Sequence, residues 1–135
     1  MKRTAKCCCK ELSIEVSGLP IRHGVCHCNN CKRRSGSAFG ISAYFEDKQI
    51  VGHVGTPNVY EKDSELFGQQ KRFFCGKCGT TLYWKLDAMA GQTGIAGGCF
   101  TDNPLPEPTR TSNKGDFIYN WVTLPKHWNR PDEEG

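Results

Sequence analysis

Nine cysteines stand in this chain of 135 residues, and eight of them fall into three tight clusters. Cys7, Cys8 and Cys9 form the first, Cys26, Cys28 and Cys31 the second, and Cys75 and Cys78 the third, while Cys99 stands apart. An odd number excludes a complete set of internal disulfides. The basic start Met1-Lys2-Arg3 has no apolar run behind it, so no secretory signal is read, and no stretch approaches the length of a membrane-spanning helix. The expectation is a cytoplasmic protein with no membrane partner. In that reducing compartment, clustered thiols bind metal more readily than they pair with one another.

The composition asks for such staples. Apolar residues make up 37% of the chain and the mean hydropathy is −0.56, a thin supply for the core of a domain this long. The chain is read as one domain over residues 1–135, with its core between about 7 and 128. Glycines and prolines separate short β-prone runs. "LSIEV" alternates at Leu12, Ile14 and Val16, and "ISAYF" at Ile41, Ala43 and Phe45. "NVYEK", "RFF", "TLYW", "GIAGGCF" and "FIYNWV" are further strand candidates, rich in aromatic or branched residues. The fold class is mostly β, built from short strands and turns. One brief helix is expected around "NNCKRRSG", capped by Asn29 or Asn30 and ended by Gly36. The polar tail "NRPDEEG" is expected to fray.

The third cluster, "FCGKCGT", reads as a zinc knuckle: two sulfurs turn toward one ion, and Gly76 and Gly79 permit the tight backbone. A closed site wants four ligands. Either Cys7 and Cys9 or Cys28 and Cys31 supply the other pair. The second choice is a single-zinc ribbon and strands Cys26 beside it. The first uses seven cysteines in two sets and leaves Cys8, which alternation on an extended segment turns away, and Cys99, read as a core thiol. The first is preferred. It leaves Cys26, Cys28 and Cys31 as three thiolates with an open fourth position, the usual mark of a catalytic zinc. His23 is the residue that could close this site. His27 sits between two ligands and is placed in a supporting or surface role.

Three thiolates donate electron density, so zinc held by them activates water poorly and suits an incoming thiol. The basic runs "KRR" at 32–34 and "KR" at 71–72 offer candidates, Arg33 and Arg34 first, to hold the carboxylates of an acidic thiol such as glutathione. Trp84, Tyr119 and Trp121 are candidate pocket walls or core residues. The competing reading is a non-catalytic zinc module for protein or nucleic acid. Charge speaks against nucleic acid: two zinc ions and seven thiolates bring the formal +4 down to about +1.

The order of these pieces resembles a known family. C-x-C at 7–9, "CHCNNCKRRSGSAF" at 26–39 and "FFCGKCGTTLYW" at 73–84 together resemble the glutathione-dependent formaldehyde-activating family, whose domain centromere protein V shares. The resemblance implies a β-tent of small antiparallel sheets stapled by zinc. It implies two zinc ions per chain: a structural one on Cys7, Cys9, Cys75 and Cys78, and a catalytic one on Cys26, Cys28 and Cys31. The activity it implies is that of a carbon–sulfur lyase joining glutathione to formaldehyde as S-hydroxymethylglutathione, with a small thiol as substrate. Lys10 departs from the pattern, standing where a glycine usually follows the first cluster, and Cys99 stands where a small or polar residue is usual.

Overall fold

Strand alternation places Leu12, Ile14 and Val16 on one face, and all three are buried. The structure, a computed structural model, describes residues 1–64, 67–112 and 115–131. Its strands are β1 (Lys2–Lys6), β2 (Ser13–Ser17), β3 (Arg22–Cys26), β4 (Gly40–Glu46), β5 (Ile50–Val54), β6 (Asn58–Ser64), β7 (Gly68–Phe74), β8 (Thr81–Leu86), β9 (Gln92–Ala96) and β10 (Arg110–Ser112). One helix, α1 (Asn29–Ser35), follows β3. The mostly β expectation holds. No helix among the described residues is long and apolar enough to cross a membrane.

Two sheets divide the strands. The smaller has the order β1-β2-β5, and the larger β10-β3-β4-β9-β8-β7-β6. All pairings are antiparallel except β10 on β3. The core draws on both sheets: Ala5, Ile14 and Val16 from the smaller, and Ala43, Phe45, Leu82, Tyr83 and Ile95 from the larger. Each fully buried aliphatic or aromatic side chain among them contributes about 1.5–3 kcal/mol. Cys7 and Cys75 belong to the same cluster.

The expected helix is present, but its cap is different. Cys28 takes the N-cap position and its sulfur accepts from the Cys31 N–H at 3.3 Å, while Gly36 ends the helix at φ 66°. A cysteine held at this position can serve as cap and thiol ligand together, so neither asparagine is needed. "FIYNWV" is not a strand: the chain makes a short 3-10 turn at Gly115–Phe117 and then further turns. Its aromatics lie outward, Trp121 at 70% exposure, so no sheet face demands an extended backbone there. The strand read in "GIAGGCF" ends at Ala96 and passes into a 3-10 turn at Gly97–Cys99. Asn129 is not frayed, since its carbonyl accepts from Thr111 N–H and its own N–H donates to Thr109. The end of the predicted tail, 132–135, lies outside the described residues.

The larger sheet's outer face positions the site. Arg22, Tyr44, Gly94, Trp84, Arg72 and Tyr60 align across six strands, from β3 through β4, β9, β8 and β7 to β6. Gly94 is the gap in this row. A Cβ there would lie 2.1 Å from the Trp84 indole nitrogen. Its absence lets the indole cross β9 and donate to the Tyr44 hydroxyl at 3.2 Å. Gly94→Ala should therefore displace Trp84 and cost roughly 1–3 kcal/mol, the usual penalty for overfilling a packed site. A lowered thermal midpoint with loss of indole burial in fluorescence checks this. An unchanged midpoint would show that the indole does not need the gap.

Candidate metal and thiol site

The thiols fall into two groups, each with all its sulfurs within 4.8 Å of one another: Cys7, Cys9, Cys75 and Cys78 in one, Cys26, Cys28 and Cys31 in the other. Both can hold a metal ion. The partition that paired Cys28 and Cys31 with the knuckle is not what the fold builds.

The first group joins two turns. Cys7 and Cys9 lie between β1 and β2, and Cys75 and Cys78 between β7 and β8. Cys9 Sγ is 3.6 Å from Cys7 Sγ and 3.6 Å from Cys75 Sγ. Tetrahedral thiolate coordination at about 2.3 Å per bond needs sulfur–sulfur edges of about 3.8 Å, so these separations fit a single central ion. Local backbone serves the geometry. Gly79, at φ 82°, returns its N–H to the Cys75 carbonyl at 2.7 Å. Lys10 plays the matching part in the other turn, donating its N–H to the Cys7 carbonyl from a φ of 67°. It is the one non-glycine with positive φ among the described residues, a conformation that glycine adopts at least cost. Cys8 is exposed, as expected, but a turn rather than an extended segment points it away.

Protonation follows the hydrogen bonds. The Thr80 hydroxyl pulls the Cys78 thiol down to about 5. The Glu11 N–H favours the Cys9 thiolate, but desolvation and contacts with Cys7, Cys75 and Cys78 outweigh it and push this thiol up to about 12. In the second group, hydrogen bonds from Cys26 and then Cys31 pull Cys28 down to about 2. Hydrogen bonding to Cys28, followed by that to Cys31 and by burial, pushes Cys26 up. Crowded thiols resist ionising together, and a full set of thiolates needs a cation among the sulfurs.

The second group has three donors, and among the described residues no fourth Cys, His, Asp or Glu joins it. His23 is buried on β3 outside the group, with its pKa lowered by that burial. His27 is not a surface residue. It is fully buried, and its Nε2 lies 3.0 Å from Thr111 Oγ1, tying the ligand loop to β10.

The basic runs divide. Lys32 donates to the Phe117 carbonyl and sits 3.8 Å over the Tyr119 ring. Arg33 faces solvent. Arg34 alone of the three turns to the cluster, stacking 4.0 Å over Trp84 and interacting electrostatically with Cys31. Trp84 is therefore both core and wall, whereas Tyr119 and Trp121 stack on each other in the open. Cys99 is half-buried against the core, with burial pushing its thiol up to about 11, and belongs to neither group. It lines a cavity of about 500 Å³ with Cys8, Cys78, Thr80, Arg34 and Ser35. Sequence reading did not bring Tyr44 or Lys62 to the site, and it gave Asn30 only as a helix cap. Strand alternation could have put Lys62 and Tyr60 on one face, but nothing local shows what that face meets.

The sequence model of the glutathione-dependent formaldehyde-activating enzyme family matches residues 2–115. The chain belongs to this family. No curated protein matches the sequence. A crystal structure of a Rhodobacter sphaeroides protein shares the fold with a TM-score of 0.56, at 21% identity over 71% of this chain and 85% of that one.

Two clusters predict two metal ions per chain from protein purified under reducing conditions. Elemental analysis should give two for the wild type and for Cys99→Ala, and one for Cys28→Ser. A single ion in the wild type, unchanged by Cys26→Ser, would show that only one group is a metal site.

Proposed function

We propose that this chain is a zinc-dependent enzyme that makes or breaks a carbon–sulfur bond on a small thiol adduct, similar to the joining of glutathione and formaldehyde. The observation that carries this reading is the second thiol group: three donors, no fourth among the described residues, and a guanidinium directed toward it. In this reading Cys7, Cys9, Cys75 and Cys78 hold a structural zinc, and Cys26, Cys28 and Cys31 a catalytic one. Zinc bound by three thiolates would leave a position for substrate sulfur and favour its ionised form.

The chain's own residues supply the rest. The Cys31 N–H holds Cys28 as an acceptor, so the loop carrying the group is ordered by the helix it caps. The substrate thiol releases its proton to solvent and its sulfur attacks the carbonyl carbon. The carbon–sulfur bond forms as the carbonyl π pair moves to oxygen, which takes up a proton to give the hydroxymethyl adduct. Arg34, stacked and half-buried, is placed to attract the substrate's negative charge, while Arg33 is not.

The two groups should differ in what they support. Cys75→Ser should collapse the fold, because a structural ion contributes folding free energy directly. Cys28→Ser should keep a cooperative thermal transition and lose second-site metal and activity. Equal loss of thermal stability in both variants would contradict this division.

Ligand binding tests the chemistry. Glutathione should bind the metal-loaded protein and S-methylglutathione far more weakly, since a thioether supplies no thiolate. Binding should release a proton, so affinity should rise with pH and level off near the free thiol's own pKa of about 8.5. Calorimetry in buffers of different ionisation enthalpy, with the visible spectrum of the cobalt-substituted protein, reads both effects. Equal affinity for the two ligands without spectral change would rule out the thiol mechanism.

A further inference from the structure

Tyr44 shares a face of β4 with Gly40, and Gly40 is the register partner of Cys26 in the second thiol group. Arg34 and Cys31 both crowd Gly40. A Cβ there would lie 2.5 Å from Arg34 Nη2 and 3.2 Å from Cys31 Cβ. The same Arg34 guanidinium stacks 4.0 Å over Trp84, and the Trp84 indole reaches the Tyr44 hydroxyl at 3.2 Å. A line of neighbours thus runs from Cys31 past Gly40, Arg34 and Trp84 to one half-buried phenol.

The direction of the last bond matters. An indole nitrogen only donates, so the Tyr44 oxygen accepts and its own hydrogen is turned elsewhere. No acceptor among the described residues takes that hydrogen. Accepting one bond polarises the O–H and makes it a better donor. Burial pushes the phenol's pKa up, and the Cys31 charge pushes the same way, against the indole bond and the Arg34 charge. The hydroxyl therefore keeps its proton at neutral pH and faces the site as a neutral donor.

When the substrate sulfur attacks, the carbonyl π pair moves to oxygen, and charge gathers there two bonds away from the sulfur. A donor aimed at that oxygen beforehand lowers the barrier, because nothing has to reorganise as the charge develops. We propose that the Tyr44 hydroxyl donates a hydrogen bond to the substrate oxygen as it gains negative charge, with Trp84 as the positioning residue that turns the hydroxyl toward the site. Solvent then supplies the proton that completes the hydroxymethyl group. In the direction of bond breaking, the same contact holds the oxygen while its pair returns to carbon and the carbon–sulfur pair leaves with sulfur. The assignment rests on the thiol reading above and adds a catalytic residue to it.

The test compares thioacetate and ethanethiol on the zinc-loaded protein by calorimetry. Thioacetate carries a partly charged oxygen two bonds from its sulfur, as the developing adduct does; ethanethiol is of similar size and has no oxygen. Tyr44→Phe should weaken thioacetate by about tenfold, the scale of one hydrogen bond to a charged group, and leave ethanethiol within about twofold. Trp84→Phe keeps a ring beneath Arg34 but loses the N–H, and it should weaken thioacetate in the same sense and spare ethanethiol. Melting curves confirm that each variant is folded. In the wild type, with tyrosines isotope-labelled at Cζ, thioacetate should move the Tyr44 resonance further than ethanethiol does, a readout that needs no variant. With glutathione and formaldehyde, Tyr44→Phe should lower kcat by about 100-fold and leave the KM for glutathione within about twofold. Equal weakening of both probes in Tyr44→Phe would mark a structural role and overturn the assignment. So would unchanged binding of both, and either result leaves the thiol reading standing. A wild type that binds neither probe overturns the thiol reading and this assignment together.

Discussion

Four sulfurs from two distant turns meet at one point of this fold. Cys9 and Cys75 are 66 positions apart, yet their sulfurs lie 3.6 Å from each other. The turns that carry them belong to different sheets, one linking β1 to β2 and the other β7 to β8. The cluster is therefore the staple between sheets, and its inner members Cys7 and Cys75 are packed into the same core as Ile14, Phe45 and Ile95. A metal ion held there would give a chain of modest apolar content a linkage that side-chain burial alone supplies sparingly.

The second thiol group is built on another principle. Its donors lie within six consecutive positions, where β3 ends and α1 begins. Such a group can form wherever that short segment folds, and it needs distant parts of the chain only for its surroundings. Those surroundings are supplied by the outer face of the larger sheet. Gly94 leaves room for Trp84, Trp84 reaches Tyr44 and carries Arg34, and Arg72 stands beside it in the next strand. One group has four donors drawn from two sheets; the other has three among the described residues and is flanked by cations.

Much of this was legible in the chain. The preferred partition of seven cysteines is the one the fold builds: C-x-C and C-x-x-C each direct two sulfurs to one point, and the count of ligands favoured this pairing over the single-zinc ribbon. Burial of Leu12, Ile14 and Val16 follows from alternation. The helix at Asn29–Ser35 and its glycine end were legible too, but its cap was not, because a cysteine is an uncommon cap and takes the role here through its place in the thiol loop. "FIYNWV" misled because β-propensity records how residues fit a half-buried sheet, and no sheet edge receives this segment.

The division between the two levels has a physical reason. Ligand identity is a property of side-chain chemistry and short spacing, so the sequence by itself determined that thiols act in local sets, while the fold decided that Cys7 and Cys9 join the knuckle and that, among the described residues, His23 does not join the second set. The company those thiols keep depends on register between strands far apart in the chain. Tyr44, Gly94, Trp84 and Arg72 come into line only because β4, β9, β8 and β7 pair as they do. A slip of one residue in any pairing would turn its partner to the opposite face. Tertiary structure alone decided that Arg34 rather than Arg33 faces the cluster, and that Arg72 and Lys62 meet at Asn30.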